Sequence, residues 1–413
     1  MVKINVEAEE LVYPYSETAN NGSGPLWCYG APLLVRQGEQ VWAAGRECGE
    51  GIEPLCNTRW LLFRRDSRGW HQVGAGVHYD EREPCPLVVA GGRLLLSVNP
   101  AAVQGAEKGP CRPHLLDLTG TPQPLQPQWG AERRFTEHSY RGLAADGGRG
   151  EALLLNIDAQ SGAQCWSWRD SNGVWGRQGA IEFPIRSCYP QVGLRERAGH
   201  ILAIGDIVEP VEAWRQCKFE HSGRPWDYVF RRLFYTWTAD ITSTDFAAPV
   251  EVDEAEETAG HILNADLWIG PDGRAHLLYI KRLIAAPVIR DRFFPGMRLD
   301  TSLEYAVVDN GAVVERRSLW RHREGDSGAA PQEGRFHADG DGRLWVVCSG
   351  GGANYLLPAA GGQGIQLPLA QPFTRFFTNT ERGGSAPSDI IDMYGTTAAG
   401  QDLRYARIRI GSG

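Results

Sequence analysis

The feature of this sequence that most constrains its fold is a turn of Gly, Asp and Arg followed directly by a short apolar strand, which recurs along the chain. Six copies lie at residues 38–43, 91–96, 148–154, 199–204, 272–278 and 341–347, with a weaker seventh at 389–394. A unit of this size cannot bury an apolar face alone, so its repetition indicates that neighbouring units pack against one another. Because each unit is built from short strands and turns, the repeat predicts an all-β propeller.

The repeat predicts seven four-stranded antiparallel blades in one domain that covers residues 1–413. Residues 2–6 alternate between apolar and polar side chains, and we expect this strand to pair with residues 403–408, because such pairing closes the ring and leaves fewer exposed strand edges. Two long insertions, at 209–228 and 285–299, are expected over one face of the ring. The blades are expected to begin near Trp27, Pro86, Tyr140, Tyr189, His261, Phe336 and Phe373.

Charge and hydropathy narrow the classes of partner. The chain has a net charge of −8 with both signs interspersed, which argues against nucleic acid as the main partner. It has no apolar run long enough for a transmembrane helix, and its first residues lack the apolar core of a signal peptide. We therefore expect a monomer without a membrane partner. The sequence as given predicts a cytoplasmic protein, and a periplasmic or secreted protein if a leader has been removed.

The cysteines give little support for a disulfide framework or a zinc site, because the nine of them include no CxxC pair. We expect most to be buried thiols, and Cys48 with Cys56 is the one pair worth inspecting. The sequence also lacks GxGxxG, Walker, GxSxG and HExxH segments. No organic cofactor and no metal site are therefore predicted, although a structural metal stays open.

Polar residues near the start of the innermost strand of several blades form the candidate site. These strands converge on the axis of a propeller, so residues that are distant in sequence meet in one funnel. The alternative is that each is a structural His or Tyr with its hydrogen bonds satisfied inside the protein. The candidates are His138 and Tyr140 in blade three, Tyr189 and Gln191 in blade four, His261 and Asn264 in blade five, Arg335 and His337 in blade six, and Trp27 and Tyr29 in blade one.

Basic and aromatic side chains indicate what this funnel could bind. Lys281 and Arg282 directly follow the apolar strand of blade five, and a guanidinium binds a carboxylate as a two-pronged fork. Sugar rings stack on aromatic faces, although Trp is also used to pack one blade against the next. The candidates for stacking are Trp27, Trp214, Trp226 and Tyr228. Together these residues predict an acidic oligosaccharide or polysaccharide as the partner.

Short motifs resemble those of known carbohydrate-active propellers. Residues 66–70 and 170–175 resemble degenerate Asp-box turns of sialidase-like propellers. The segments His138-Ser139-Tyr140 and Cys188-Tyr189-Pro190-Gln191-Val192 are similar to segments of the seven-bladed polysaccharide lyases that cleave ulvan. They are also similar to segments of related propellers with BNR-4 repeats that act on rhamnosyl-glucuronate.

The resemblance implies a lyase that cleaves uronate-containing glycans by β-elimination. In such a lyase an Arg or similar group offsets the carboxylate charge, and the resemblance carries proton transfer to His138 as base and Tyr189 as acid. Two alternatives remain. One is a glycoside hydrolase on a rhamnose- or uronate-type glycan, with carboxylates from Asp266, Asp339 or Glu137. The other is a carbohydrate-binding propeller without catalysis.

Overall fold

The structure, a computed structural model, describes residues 2–15, 19–27, 30–103, 109–130, 132–224 and 227–412. Two of the predicted site residues, Tyr29 and Trp226, lie outside these ranges. The described chain forms seven four-stranded antiparallel sheets, one per blade, and this confirms the predicted propeller. None of the described helices is long and apolar enough to cross a membrane.

The first three blades follow one another along the chain. Strand β1 (Val2–Tyr13) belongs to the last blade. Blade one consists of β2 (Leu34–Gln37), β3 (Gln40–Cys48), β4 (Thr58–Asp66) and β5 (Gly69–Ala75). Blade two consists of β6 (Leu87–Ala90), β7 (Arg93–Val98), β8 (His114–Asp117) and β9 (Gln123–Leu125). Blade three consists of β10 (Gly142–Asp146), β11 (Glu151–Ile157), β12 (Gln164–Arg169) and β13 (Trp175–Ile181).

Blades four and five each carry an insertion. Blade four begins with β14 (Ser187–Arg195) and β15 (Ala198–Gly205), which are followed by β16 (Ile207–Val208), α1 (Glu212–Ser222) and β17 (Tyr228–Val229). It ends with β18 (Arg232–Thr238) and β19 (Val250–Glu254). Blade five consists of β20 (His261–Ile269), β21 (Ala275–Arg282), β22 (Asp300–Asp309) and β23 (Ala312–Arg323), with α2 (Pro287–Phe293) between β21 and β22.

Blade six consists of β24 (Pro331–Ala338), β25 (Leu344–Gly350), β26 (Ala353–Pro358) and β27 (Ile365–Gln366). Blade seven contains β28 (Phe373–Thr378), β29 (Ile390–Thr397) and β30 (Gly400–Ser412), and β1 is its outermost strand. The N-terminal strand therefore closes the ring as expected, and it extends beyond the predicted residues, because β1 pairs with β30 as far as Tyr13.

The hydrophobic core lies between neighbouring blades, where the apolar faces of the sheets meet. Val35 of blade one, Leu87 of blade two and Tyr394 of blade seven belong to one buried cluster, as adjacent repeats of a propeller require. The two insertions share a smaller cluster in which Cys217 of α1 and Ile289 of α2 are buried. In the described part of the chain the cysteines form no disulfide, and all except Cys48 are buried.

The connection between β28 and β29, residues 379–389, runs along the axis of the propeller. Its backbone accepts hydrogen bonds from the innermost strands, including Val89 N to Gly383 O at 2.8 Å and Ala145 N to Arg382 O at 2.8 Å. On the other side of the ring, Ser388 N donates to Ala338 O at 3.1 Å. We call this connection the axial segment, because blades two, three and six all bond to it.

Removing residues 1–7 is expected to lower the melting temperature by on the order of 5 °C. The deletion exposes part of the outer edge of β30, which now pairs with β1 from Val2 to Val6. Thermal unfolding followed by circular dichroism measures the change. The control Glu7→Gln removes only the exposed ion pair with Arg409 and should have almost no effect. An unchanged melting temperature in the deletion variant would show that closure by β1 contributes nothing.

Candidate functional site

A broad cleft of about 1900 Å³ opens at the end of the propeller where the innermost strands begin. The segments before and at the starts of β10, β14, β20, β24 and β28 line it, together with parts of both insertions. Pockets for small molecules usually measure roughly 300–1,000 Å³. The cleft is therefore large enough for an oligomeric ligand.

Seven of the predicted site residues line the cleft. They come from blades three, four and five, from the first insertion and from the segment before blade one, which agrees with the expectation that the innermost strands bring distant residues together. They are Trp27, His138, Tyr140, Tyr189, Tyr228, His261 and Arg282.

Trp214 packs against the cluster shared by the two insertions, and five other predicted residues do not line the cleft either. Gln191 and Asn264 are buried and hydrogen bond inside the propeller, where Gln191 Nε2 donates to Asn264 O at 3.0 Å. Lys281 donates to Asp253 Oδ1 at 2.8 Å, because alternate residues of a strand point to opposite faces and its neighbour Arg282 takes the cleft side. Arg335 is buried and donates to Phe376 O at 3.1 Å.

The fifth of these residues, His337, lies at the opposite end of its strand. The sequence predicts that blade six begins near Phe336, but β24 begins at Pro331. Gln332 and Glu333 therefore occupy the cleft end of the strand, and the His337 ring contacts Ser388 O at 2.7 Å in the interior. His337 therefore does not face the same funnel as the other histidines, contrary to the expectation from the sequence, because β24 starts five residues earlier than predicted.

Aromatic rings form a continuous row along one wall of the cleft. The ring centroids are 6.2 Å apart for His138 and Tyr140, and 5.1 Å apart for Tyr140 and Tyr189. Phe230 continues the row at 6.0 Å from Tyr189 and 5.8 Å from His261. We call these five residues the aromatic wall. Phe230 follows β17 in the insertion, and no feature of the sequence singled it out.

The backbone of the aromatic wall is strained at its two tyrosines. Tyr140 has φ +36° and Tyr189 has φ +49°, in the left-handed region that non-glycine residues seldom occupy. A β-bulge in the pairing of β14 with β15 accompanies Tyr189, because the register shifts between Cys188 and Gln191. Bulges redirect side chains, and such strain is often found at functional sites.

Buried ionic contacts hold the segment that carries His138 and Tyr140. Ser139 donates from its backbone N and its hydroxyl to Glu83, at 3.2 and 2.5 Å. Arg141 donates to Glu81 Oε2 at 2.9 Å. Ser139 and Arg141 are buried. The residue that precedes each of them, His138 and Tyr140, lines the cleft. The hydrogen bonds of Ser139 and Arg141 on the buried side of this segment therefore hold the two site residues in the cleft lining.

His138 is hydrogen bonded to a buried arginine. Arg82 Nη1 lies 2.7 Å from His138 Nδ1, and a guanidinium nitrogen can only donate. Nδ1 is therefore the acceptor, and this network assigns the ring proton to Nε2. Arg82 Nε donates to Asn21 O at 2.9 Å. A Cβ on Gly22, where φ is +75°, would come within 3.2 Å of Arg82 Nη2, so glycine leaves room beside that nitrogen.

Tyr140 belongs to a second polar group in the cleft. Arg186 Nη1 is 2.7 Å from Asp206 Oδ2, and the guanidinium carbon is 5.1 Å from the centre of the Tyr140 ring. Burial, with the negative charge of Asp206, raises the pKa of Tyr140 well above its usual range. Tyr140 therefore keeps its proton at ordinary pH, and its hydroxyl can donate a hydrogen bond as well as accept one.

The lining of the cleft is cationic although the whole chain is acidic. It contains seven Arg and Lys residues against four Asp and Glu residues. At one end of the aromatic wall, burial and the charges of Arg282, Lys218 and Arg231 lower the pKa of His261 to about 4, so this ring is neutral at ordinary pH. In the described part of the chain, the exposed guanidinium of Arg282 has no hydrogen bond or ion pair.

The carboxylates considered for hydrolysis do not line the cleft. Asp266 is buried and pairs with Arg382 at 2.5 Å. Asp339 accepts from Arg343 Nε and Trp345 Nε1, each at 2.9 Å, and Glu137 is buried. Among the residues that the structure describes, no group of three or more His, Cys, Asp and Glu is arranged to hold a metal ion.

Comparisons with known proteins show what this fold is similar to. No protein-family model matches the chain, and no curated protein matches it. The structure of the polysaccharide lyase Uly1 is similar over 98% of this chain and 93% of that chain, at 8% identity and a TM-score of 0.54. A PL25 ulvan lyase bound to a saccharide is similar over 96% and 95%, at 7% identity and a TM-score of 0.55. At these identities, the comparison shows that this chain shares its propeller fold with polysaccharide lyases.

Proposed function

We propose that this protein is a carbohydrate-active enzyme that cleaves a uronate-containing glycan by β-elimination. The observation that supports this most directly is the contact between Arg82 and His138 in a cationic cleft lined by aromatic rings. In β-elimination the carbon that loses its proton, C5, also bears the carboxylate. The cation that offsets the carboxylate charge and the base that takes the proton must therefore be neighbours, as these two residues are.

The contact also explains how the base becomes available. Without substrate, the lone pair of His138 Nδ1 is engaged by Arg82. A uronate carboxylate that approaches Arg82 over Gly22 competes for the guanidinium and leaves the lone pair of Nδ1 to accept the C5 proton. The electrons of the C5–H bond form the C4=C5 double bond, and the C4–O bond breaks. Tyr189 protonates the leaving oxygen.

The acidic residues of the cleft favour elimination over hydrolysis. A glycosidase needs two carboxyl groups that flank the scissile bond. Here Asp206 pairs with Arg186 at 2.7 Å, Asp227 with Lys218 at 2.8 Å and Glu333 with Arg335 at 3.5 Å. The remaining acid in the lining, Asp158, accepts from Ser161 Oγ at 2.6 Å. Each carboxylate is thus already engaged by a neighbouring residue of the protein.

The proposal is tested by incubating the protein with glucuronate-containing polysaccharides and following two signals. Elimination produces an unsaturated uronate, whose conjugated double bond absorbs in the far ultraviolet, together with new reducing ends. Hydrolysis produces reducing ends without the absorbance. A propeller that only binds glycans produces neither signal, although calorimetry still detects binding. Only the first outcome supports the proposed lyase.

We further propose that Arg282 binds a second acidic sugar of the same chain. The aromatic wall has Arg82 beside His138 at one end and Arg282 near His261 at the other, and the cleft is large enough for an oligomer. A polymer with acidic sugars at intervals would therefore meet a cation at both ends of the wall. The expected ligand is an acidic oligosaccharide or polysaccharide, not a single uronic acid.

Replacing Arg282 by Gln is expected to raise KM for the polymer about tenfold, because one charge-assisted hydrogen bond is lost. The value of kcat should change little, since Arg282 is placed away from the reacting carbon. The matched control is Arg68→Gln, because Arg68 is also exposed and lies in the turn between β4 and β5, outside the cleft. Equal KM values for the wild type and Arg282→Gln would refute this role.

A further inference from the structure

The axial segment carries a buried arginine, Arg382, that contacts the strand on which Tyr189 lies. Arg382 is 5% exposed and donates from Nη1 to Gly30 O at 2.8 Å and to Val192 O at 3.1 Å. Its Nη2 donates to Gln191 Oε1 at 2.9 Å and to Asp266 Oδ1 at 2.5 Å. A single planar guanidinium thereby joins blade four, blade five and the segment that precedes blade one.

These contacts surround the bulge that carries Tyr189. Val192 follows the bulge directly, and Gly30 packs against it so closely that a Cβ on Gly30 would lie 2.4 Å from Pro190 O. Gln191, which accepts from Arg382, donates to Asn264 O at 3.0 Å. Asn264 Nδ2 in turn donates to Tyr189 O at 2.6 Å. A continuous set of buried hydrogen bonds therefore leads from Arg382 to the backbone of Tyr189.

We infer that Arg382 is a positioning residue for Tyr189, and that Gln191 and Asn264 transmit its effect. The inference rests on the proposed function to the extent that Tyr189 transfers a proton. A tyrosine at φ +49° needs surrounding contacts that hold it there. Arg382 supplies them through the carbonyl of Val192 and through Gln191, and the axial segment keeps Arg382 fixed by bonding to several blades.

The counter-ion Asp266 belongs to the same arrangement. Its side chain is fully buried, and its Oδ2 accepts a hydrogen bond from Phe336 N at 2.8 Å. A lysine at position 382 would keep the positive charge beside Asp266 but would lose the planar fork that reaches several acceptors at once. Arg382→Lys therefore separates the positioning of Tyr189 from the neutralisation of Asp266.

Arg36 provides a matched control. It is 7% exposed and forms a fork with the buried Asp392, from Nε at 2.7 Å and from Nη2 at 2.6 Å. Neither residue lines the cleft. Arg36→Lys should therefore lower the melting temperature as Arg382→Lys does, because both lose part of a buried fork. Only Arg382→Lys should disturb Tyr189.

The experiment measures kcat and KM for the wild type, Arg382→Lys and Arg36→Lys on a glucuronate-containing polymer. We expect Arg382→Lys to lower kcat at least tenfold with KM changed less than about threefold, since the substrate contacts remain. Arg36→Lys should keep the kcat of the wild type. If both variants lose the same fraction of kcat, or neither loses any, Arg382 is a structural residue only and the inference is overturned.

Two further measurements keep the test decisive. If Arg382→Lys does not fold, Gln191→Leu takes its place, because it breaks the transmitting contacts without removing the Arg382–Asp266 ion pair. This variant should lower kcat in the same way. An unchanged kcat in Gln191→Leu would overturn the inference. Crystal structures of the wild type and the variants give a readout without activity, because Tyr189 should leave its left-handed conformation in Arg382→Lys and in Gln191→Leu and keep it in Arg36→Lys. If the wild type cleaves no glycan, the proposed function fails, but the structural readout still tests the positioning role. A displaced Tyr189 in Arg382→Lys supports that role, and an undisplaced Tyr189 refutes it.

Discussion

Tyr189→Phe is expected to lower kcat for glycan cleavage by roughly 10²–10⁴ and to leave the melting temperature almost unchanged. The substitution removes only the hydroxyl group, which we propose protonates the leaving oxygen. The ring keeps its edge-to-face contacts with Trp27 at 6.0 Å and Tyr140 at 5.1 Å, so the aromatic wall stays intact. Initial rates from the far-ultraviolet absorbance of the product measure the change.

The control for this substitution is Tyr355→Phe. Tyr355 lies on β26 and packs against Trp320, and it does not line the cleft, so loss of its hydroxyl should not affect the rate. Full activity of Tyr189→Phe on a substrate that the wild type cleaves would remove Tyr189 from the mechanism. Tyr140 would then be the next donor to test, because its raised pKa keeps it protonated.

His138→Gln is expected to lower kcat at least a thousandfold while the dissociation constant for the glycan changes only a few-fold. A glutamine can offer its side-chain oxygen to Arg82 in place of Nδ1, so the buried guanidinium keeps an acceptor and can still bind the carboxylate. The amide has no lone pair basic enough to take the C5 proton. Calorimetry for binding and product absorbance for turnover measure the two quantities separately.

The control here is His71→Gln, on β5 and outside the cleft lining, which should leave turnover and binding unchanged. A His138→Gln variant with the turnover of the wild type would exclude His138 as the base. A wild-type protein that binds acidic glycans tightly without turnover would instead support the carbohydrate-binding propeller. The pair of measurements therefore separates a catalytic cleft from a binding surface.

Part of the site follows from sequence because the geometry of a propeller is regular. Once the repeat marks the blades, residues ahead of the innermost strands are known to meet at one end of the axis. This reasoning placed His138, Tyr140, Tyr189 and His261 in the lining of one cleft. It depends only on where each strand starts, and the turns that precede strands are readable as Gly- and Asp-rich segments.

The same reasoning misplaced His337, because an error in the start of a strand moves every residue along it. The strand of blade six begins at Pro331 rather than near Phe336, so His337 lies at the far end, next to the axial segment. Lys281 was misplaced for a different reason. It neighbours Arg282 in sequence, but alternate residues of β21 face opposite sides, and only the sheet decides which side is the cleft.

Local turns and the period of the repeat are enough to predict the seven blades, the closure of the ring by the N-terminal strand and the end of the axis at which the candidate residues meet. Three contacts could not be predicted in this way, namely those that bring Arg82 to His138, Phe230 into the aromatic wall and Arg382 to the bulge that carries Tyr189. Arg82, Phe230 and Arg382 lie in connections between strands, outside the repeating pattern. Their positions are set by long-range hydrogen bonds and packing, because a connection has no periodicity from which the direction of a side chain could be read.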